Sequence, residues 1–377
     1  MWHTNRYRQY ESVPCRNDNL SPGQLRILDE KDTPPAGLDN GQQAPQRLPP
    51  LSNSMASNPA KPLVAFLGPA ASYTHQATLL VFPQETWELR PATTITDVFD
   101  QVQDGHVLRG VVPFENSSHG SVVVTLDNLA DRDGRYKDIS VEGEVFVDVR
   151  HCLLGFKAQR EGSATIPRAN STPTAASPDF KLIKQIYSHP QAFGQCRKFI
   201  SQDLKAAEIH DVSSTSRAAE IVRQNGTGAS AAISSRLAAG IYGLDVLAES
   251  VQDRDDNVTR FLFIRNTQNP PLESPDSNQP SATGNDETAG TKSLVSFTVP
   301  HDSPGALADV LSCFKDCGLN LTSINSRPSL QAPFRYVFFV ELGGHRYGQD
   351  GRVESALSKI RDVAERSRWL GSWETRR

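Results

Sequence analysis

The sequence predicts an alternating α/β domain over residues 62–265 and a smaller α+β module over residues 293–377. Three observations predict it. An apolar run, a polar loop and a helical stretch repeat through residues 62–265, the pattern of strands that open into helices. A segment rich in Pro, Asn, Ser and Asp breaks this pattern at 266–292, as an interdomain linker does. Beyond it, apolar runs and amphipathic stretches follow in the order βαββαβ.

Residues 63–67 form the first strand, which runs into Gly68, Pro69, Ala70, Ala71, Ser72, Tyr73 and Thr74 and a helix through Leu80. Residues 110–114 form a strand that ends in Glu115, Asn116, Ser117, Ser118, His119 and Gly120, before a helix carrying Val123, Leu126 and Leu129. Residues 183–187 meet Ser188, His189, Pro190 and Gln191. Pro190 suits the first position of a helix ending near Ile200, because its missing N–H and fixed φ cost nothing there. Ser213, Ser214, Thr215 and Ser216 supply N-cap candidates for the Ala-rich helix that follows. Any one junction reads as an ordinary helix cap. The four together gather free backbone N–H groups and positive helix ends into one crevice, an anion-binding geometry.

In the second module, residues 293–299 are a strand and 304–317 a helix with Leu307, Val310, Leu311 and Phe314 on one face. Strands near 319–326 and 336–342, a helix carrying Val353, Ala356, Leu357, Ile360 and Val363, and a short strand at 369–373 complete a ferredoxin-like order. Residues 158–178, rich in Ser, Thr, Pro and Ala, read as an inserted low-complexity surface loop.

Residues 1–61 mix Arg, Asp, Gln, Asn and Pro without hydrophobic periodicity and are expected to be disordered. Acidic Glu11, Asp18, Asp29, Glu30 and Asp32 argue against a transit peptide, and Met55 marks a candidate internal start. A net charge of −4 without a long Lys/Arg run argues against nucleic acid or an anionic membrane as partner. The apolar runs fall far short of the roughly 20 residues that a membrane-spanning helix needs. The 5 cysteines are odd in number and show no CxxC spacing, so neither a disulfide framework nor a zinc site is indicated. Reduced thiols in a cytoplasmic protein with a small-molecule partner are expected. His75, His119, His151 and His189 match no metal-ligand spacing and read as capping, surface or core residues.

The ordered motifs resemble those of the prephenate dehydratases. Gly68-Pro69 with 72–77, Pro113-Phe114-Glu115-Asn116-Ser117 with Gly120, Ser188-His189-Pro190-Gln191-Ala192 with Gln195-Cys196, Ser214-Thr215, and Asn257-Val258-Thr259-Arg260-Phe261 occur in that family's order. Gly305-Ala306-Leu307-Ala308 and Ser326-Arg327-Pro328 resemble the phenylalanine-site motifs of its C-terminal ACT domain. Ala71 and Ser72 stand where the family usually has Gly and Thr, and Asn325 where it usually has Glu.

The resemblance implies two α/β lobes like a type II periplasmic binding protein over 62–265, with the active site between them, and an ACT domain over 293–377. It implies conversion of prephenate to phenylpyruvate without a cofactor or metal, in a homodimer or homotetramer. Phenylalanine is the expected effector and inhibition the expected sign. The family assigns the leaving-group donor to the position of Thr259. Asn116 and Gln191 are then expected to orient substrate, and Ser72, Ser117, Ser214 and Thr215 to bind it. Phe261 is expected to wall the ring, and Arg260 either anchors a carboxylate or forms a structural ion pair. Glu115, beside Asn116, reads either as a general acid or, more commonly for a carboxylate at a helix start, as an electrostatic or structural acceptor. The phenylalanine site is expected at Gly305, Ala306, Leu307 and Ala308, with Asn320, Leu321, Ser326, Arg327 and Pro328. Two rivals remain at this level: arogenate dehydratase, which no motif separates, and a non-catalytic phenylalanine sensor, which has no need of a leaving-group donor.

Overall fold

The computed structural model describes residues 61–157, 180–272 and 290–375. The expected disorder of the first 60 residues, the candidate start at Met55, the insertion at 158–178 and most of the linker lie outside them.

Lobe 1 is built from β1 (Leu63–Leu67), α1 (Tyr73–Val81), β2 (Glu88–Ala92), α2 (Ile95–Gln103), β3 (Arg109–Asn116), β4 (Gly120–Ser121), α3 (Val123–Ala130) and β5 (Ile139–Asp148). The chain then crosses to lobe 2: β6 (Cys152–Gly155), β7 (Gln185–Ser188), α4 (Pro190–Gln195), α5 (Arg197–Asp203), β8 (Glu208–Asp211), α6 (Thr215–Asn225), β9 (Ser230–Ser234), α7 (Arg236–Tyr242) and β10 (Asp245–Ala248). It returns through β11 (Val258–Asn266), which inserts between β5 and β3 as an antiparallel strand. Two crossings, at 149–151 and 249–257, therefore join the lobes. Lobe 2 is a mixed sheet in the order β10-β6-β9-β7-β8.

The last segment runs β12 (Thr291–Thr298), α8 (Ala306–Asp316), β13 (Leu321–Pro328), β14 (Tyr336–Gly343), α9 (Arg352–Val363) and β15 (Arg366–Glu374), the βαββαβ order. Its sheet is continuous with that of lobe 1, in the order β13-β14-β12-β15-β5-β11-β3-β1-β2. The join is parallel and narrow, Gly371 of β15 against Val141 of β5. Helices α8 and α9 cover one face of this module around Val295, Phe314, Val340 and Ile360. Its other face contributes Leu294, Phe339, Leu370 and Trp373 to the core of lobe 1, beside Phe114, Leu126, Leu129 and Val141. Each such buried side chain contributes about 1.5–3 kcal/mol, so the two modules share a core rather than touching through a linker.

Local chemistry moves several boundaries. The helix expected from Pro190 to Ile200 is two helices, because the chain turns at Cys196 (φ −123°, ψ 26°). Asp253 stabilises the break: its N–H donates to Gln195 O, and its Oδ1 accepts from Lys198 N at 3.0 Å. The final strand, expected at 369–373, extends over Arg366–Glu374 because it pairs along the whole of β12.

Candidate active site

A cavity of about 420 Å³ opens between the lobes. Lobe 1 lines it with Ser72, Tyr73, Asn116 and Thr259, and lobe 2 with His189, Gln191, Gln195, Ser214 and Thr215. Its walls are strand ends that open into helices. Ser72 caps α1, accepting from His75 N at 3.1 Å while its hydroxyl donates to Leu67 O at 3.2 Å. Ser214 caps α6 by accepting from Arg217 N at 3.0 Å. His189 caps α4 through Nδ1, which accepts from Gln191 N at 3.2 Å, with Pro190 at the first helical position.

These helices turn positive ends and spare first-turn N–H groups toward the cavity. No Asp, Glu, Lys or Arg side chain is among the lining residues, and the titratable ones are Tyr73, His119, His151 and His189. Among these described residues, an anion placed here would meet helix dipoles and hydrogen-bond donors rather than a formal countercharge.

The β11–β3 ladder sets Thr259 opposite Asn116. The Asn116 amide has one consistent orientation. Its Oδ1 accepts from Ser118 N at 2.9 Å and His119 N at 3.1 Å, so Nδ2 faces the other way. Nδ2 donates to Asn257 Oδ1 at 2.8 Å and to Thr259 Oγ1 at 2.9 Å. Thr259 Oγ1 is therefore an acceptor within the protein, and its proton has no acceptor among the described hydrogen bonds. That proton is free for a ligand in the cavity. Donation from Asn116 polarises the hydroxyl and strengthens it as a donor.

A second polar chain crosses from lobe to lobe. The Tyr73 hydroxyl lies 3.0 Å from His151 Nδ1, and His151 Nε2 lies 2.7 Å from Gln195 Oε1. His151 sits in the first crossing, only 2% exposed. Burial pushes its pKa down, and the bond to Gln195 only partly offsets this, so the ring is neutral near pH 7. A neutral ring that gives its Nε2 proton to Gln195 leaves Nδ1 able to accept from the Tyr73 hydroxyl, which has the Arg150 carbonyl as a second acceptor, also at 3.0 Å. Burial, with smaller contributions from Cys152 and Cys196, raises the Tyr73 phenol above its ordinary range and keeps it protonated.

The structure thus brings Thr259, Asn116, Gln191, Ser72, Ser214 and Thr215 to one cavity. Three expected substrate contacts are elsewhere. Ser117 is tied to the second crossing, donating to Asp256 O at 3.2 Å and accepting from Val258 N at 3.0 Å. Arg260 emerges on the other face of β11, where it pairs with Glu144 and Glu341, each at 2.5 Å. Its guanidinium is in these ion pairs and is not among the lining residues of the cavity. Phe261 follows a register shift in the ladder and is 1% exposed in the core with Phe66, Phe82 and Val111. Glu115 is not among the lining residues.

Sequence reasoning passed over Tyr73, His151, Gln195 and Asn257 as side chains of the site, although three of them stand inside the motifs named above. His75, by contrast, is a satisfied core residue, stacked 4.8 Å from Phe66 and accepting from Ala71 N.

In the C-terminal module, Gly305, in the left-handed region at φ 83°, opens α8, followed by buried Ala306, half-buried Leu307 and exposed Ala308. Asn320 precedes β13, which carries Leu321, Ser326, Arg327 and Pro328. Arg327 reaches back to lobe 1, bridging Asp127 through Nε and Nη2 at 2.8 and 3.0 Å. Burial alone would raise the Asp127 carboxyl; the bonds from Arg327 and Arg132 hold it below its ordinary value. Asn325 Oδ1 accepts from Ser121 Oγ at 2.6 Å, and Ser121 lines the cavity.

Residues 64–269 match the family model described as prephenate dehydratase. A bifunctional chorismate mutase/prephenate dehydratase from Aquifex aeolicus (strain VF5) is 34% identical over 310 residues, 82% of this chain and 73% of that protein. A prephenate dehydratase from Methanocaldococcus jannaschii is 30% identical over 288 residues, 75% of this chain and 89% of its own. Among solved structures, a prephenate dehydratase from Arthrobacter aurescens in complex with L-Phe aligns with a TM-score of 0.64 at 29% identity, covering 82% of this chain and 89% of that one.

Proposed function

This chain belongs to the prephenate dehydratase family, and from that premise we propose how its cleft carries out the reaction. The activity is that of a lyase in phenylalanine biosynthesis. Prephenate, a dianion, loses its ring carboxylate as carbon dioxide and its ring hydroxyl as water. One proton is taken up, and the phenylpyruvate monoanion remains. The electrons of the breaking carbon–carbon bond enter the ring and expel the hydroxyl oxygen, so what the protein must supply is help for a poor leaving group.

The observation that carries the proposal is the Asn116–Thr259 hydrogen bond, which leaves the threonine proton unspent and directed to a ligand. Thr259 donates to the departing oxygen, a bond that strengthens as negative charge develops there. A lining without fixed cations suits the other half of the reaction. A tight ion pair on the ring carboxylate would stabilise the substrate more than the transition state, in which that charge has moved into the ring. Gln191, Ser214 and the first turns of α1 and α6 orient the carboxylates without that penalty.

The same lining favours prephenate over arogenate, whose side chain bears an ammonium group for which the described lining residues supply no carboxylate. A purely phenylalanine-sensing role would leave the freed threonine proton without a use.

We read the two lobes as the periplasmic-binding-protein-like arrangement and residues 293–377 as an ACT domain that binds phenylalanine. The related Arthrobacter aurescens enzyme was solved with L-Phe. The Ser121–Asn325 bond supports a direct route from that module to the cleft. Outer strand β13, with Ile324 53% exposed, offers the edge on which copies pair into a dimer or tetramer.

Phenylpyruvate formation by the purified chain, with prephenate or arogenate and with or without phenylalanine, tests these readings alongside Thr259→Ala. Turnover of prephenate, lowered by phenylalanine and reduced about 100-fold or more in the variant, is expected. Near-normal turnover of Thr259→Ala would remove the threonine from the mechanism, and a preference for arogenate would overturn the charge argument.

A further inference from the structure

Directly behind Thr259, four charges close into a ring. The Arg260 guanidinium lies 2.5 Å from both Glu144 and Glu341, and the Lys292 ammonium lies 3.3 Å from the other oxygen of each carboxylate. Every cation touches both anions, and the ring is neutral as a whole. Glu144 on β5 is fully buried, Glu341 on β14 is 2% exposed and Arg260 on β11 is 7% exposed. Two corners, Arg260 and Glu144, come from lobe 1. The other two, Lys292 of β12 and Glu341, come from the C-terminal module.

A buried ring of this kind adds little net stability over apolar packing, because desolvating four charges offsets most of their attraction. What it does impose is geometry. Arg260 is the neighbour of Thr259 in β11, and its guanidinium packs over the Phe114 ring, 5.1 Å from the centroid. Phe114 is the residue skipped where the β11–β3 register shifts, Arg260 pairing with Glu115 and Phe261 with Pro113. That irregularity aims the end of β3, and with it Asn116. Arg260 thus adjoins both partners of the Asn116–Thr259 bond, as the chain neighbour of Thr259 and by packing over Phe114, two residues before Asn116.

We propose that the Arg260–Glu144–Lys292–Glu341 ring is a positioning device for Thr259, so that Glu341, a residue of the C-terminal module, is required for turnover in the cleft. The proposal rests on the assignment of Thr259 as leaving-group donor.

The test uses the full chain carrying Glu341→Gln, and separately Lys292→Gln with Glu341→Gln, assayed with prephenate below the melting temperature of each protein. Glu341→Gln leaves two cations against one carboxylate, whereas the double variant restores charge balance without restoring the anchor. The expected result is a kcat lowered about 10- to 100-fold in both variants, with KM within roughly twofold of the parent, and a melting temperature that recovers in the double variant while kcat does not. Parental kcat in Glu341→Gln, or recovery of kcat together with melting temperature in the double variant, would overturn the proposal by reducing Glu341 to a structural residue. Thr259→Ala, run in parallel, separates the two levels. If it loses turnover and Glu341→Gln does not, only the positioning role falls; if it keeps turnover, the donor assignment falls and takes the positioning role with it.

Discussion

Asn116 shows how one amide sets the direction of the hydrogen bonds around the Thr259 hydroxyl. With Oδ1 occupied by backbone N–H groups, its Nδ2 has to serve Asn257 and Thr259 together. Asn116→Asp replaces that donor with an acceptor of nearly the same shape. The Thr259 proton is then drawn to the new carboxylate, and Asn257 Oδ1 faces a second acceptor. The fold is expected to persist, since Ser118 and His119 still find an oxygen, while kcat falls about 100- to 1000-fold. Steady-state phenylpyruvate formation beside a circular dichroism spectrum checks this; parental kcat would show that Thr259 needs no orienting donor. Asn116 stood out in the sequence at a polar junction that closes a strand, whereas Thr259 was reached only through the resemblance of Thr259-Arg260-Phe261 to the family's motif. That motif did not separate Thr259 from Arg260. Alternation along β11 turns adjacent side chains to opposite faces, and the partner waiting on the far face, Glu341, lies 81 positions away. Tyr73, His151 and Gln195 were hidden for a related reason, since their chain joins three segments that no local pattern links.

At the scale of elements, hydrophobic periodicity placed the strands and helices, while tertiary contacts set where they end. The break at Cys196 depends on Asp253, which comes from a distant loop, so a Pro-started helix that looked continuous is split. Nor did any local signal announce that β15 would dock on β5. That docking requires Gly371, whose φ is 152° and whose backbone comes so close to β5 that a Cβ there would lie only 2.0 Å from Val141 O. Gly371→Ala must push the strands apart or bend them, at a cost of about 1–3 kcal/mol. Urea unfolding is expected to show a lower midpoint, with prephenate turnover reduced because the ring behind Thr259 is strained by the same displacement. An unchanged midpoint would mean that the join contributes nothing to the fold.

The whole molecule is less divisible than its sequence implies. A Pro- and Asn-rich linker reads as a tether between independent domains, yet the C-terminal module sends Leu294, Phe339, Leu370 and Trp373 into the core of lobe 1 and closes a ring of buried charge with it. A chain ending at Leu272 would expose that core and leave Arg260 and Glu144 without two of their four partners. It is expected to lose soluble yield, or to melt well below the full chain in calorimetry; full stability in the truncated chain would show the modules to be separable.

The strand order also dictates a timetable for synthesis. Lobe 2, from Cys152 to Ala248, is contiguous in sequence and can fold once its last strand has left the ribosome. Lobe 1 cannot, because β5 is flanked by β11 and β15, both translated later. The gap between β5 and β3 waits for β11, and the other edge of β5 stays open while more than 200 further residues are made, until β15 covers it. A ribosome that stalls within the final module therefore holds a nascent chain with one finished lobe and one exposed sheet edge, the state in which this protein is most open to capture by a chaperone or by another unfinished copy of itself.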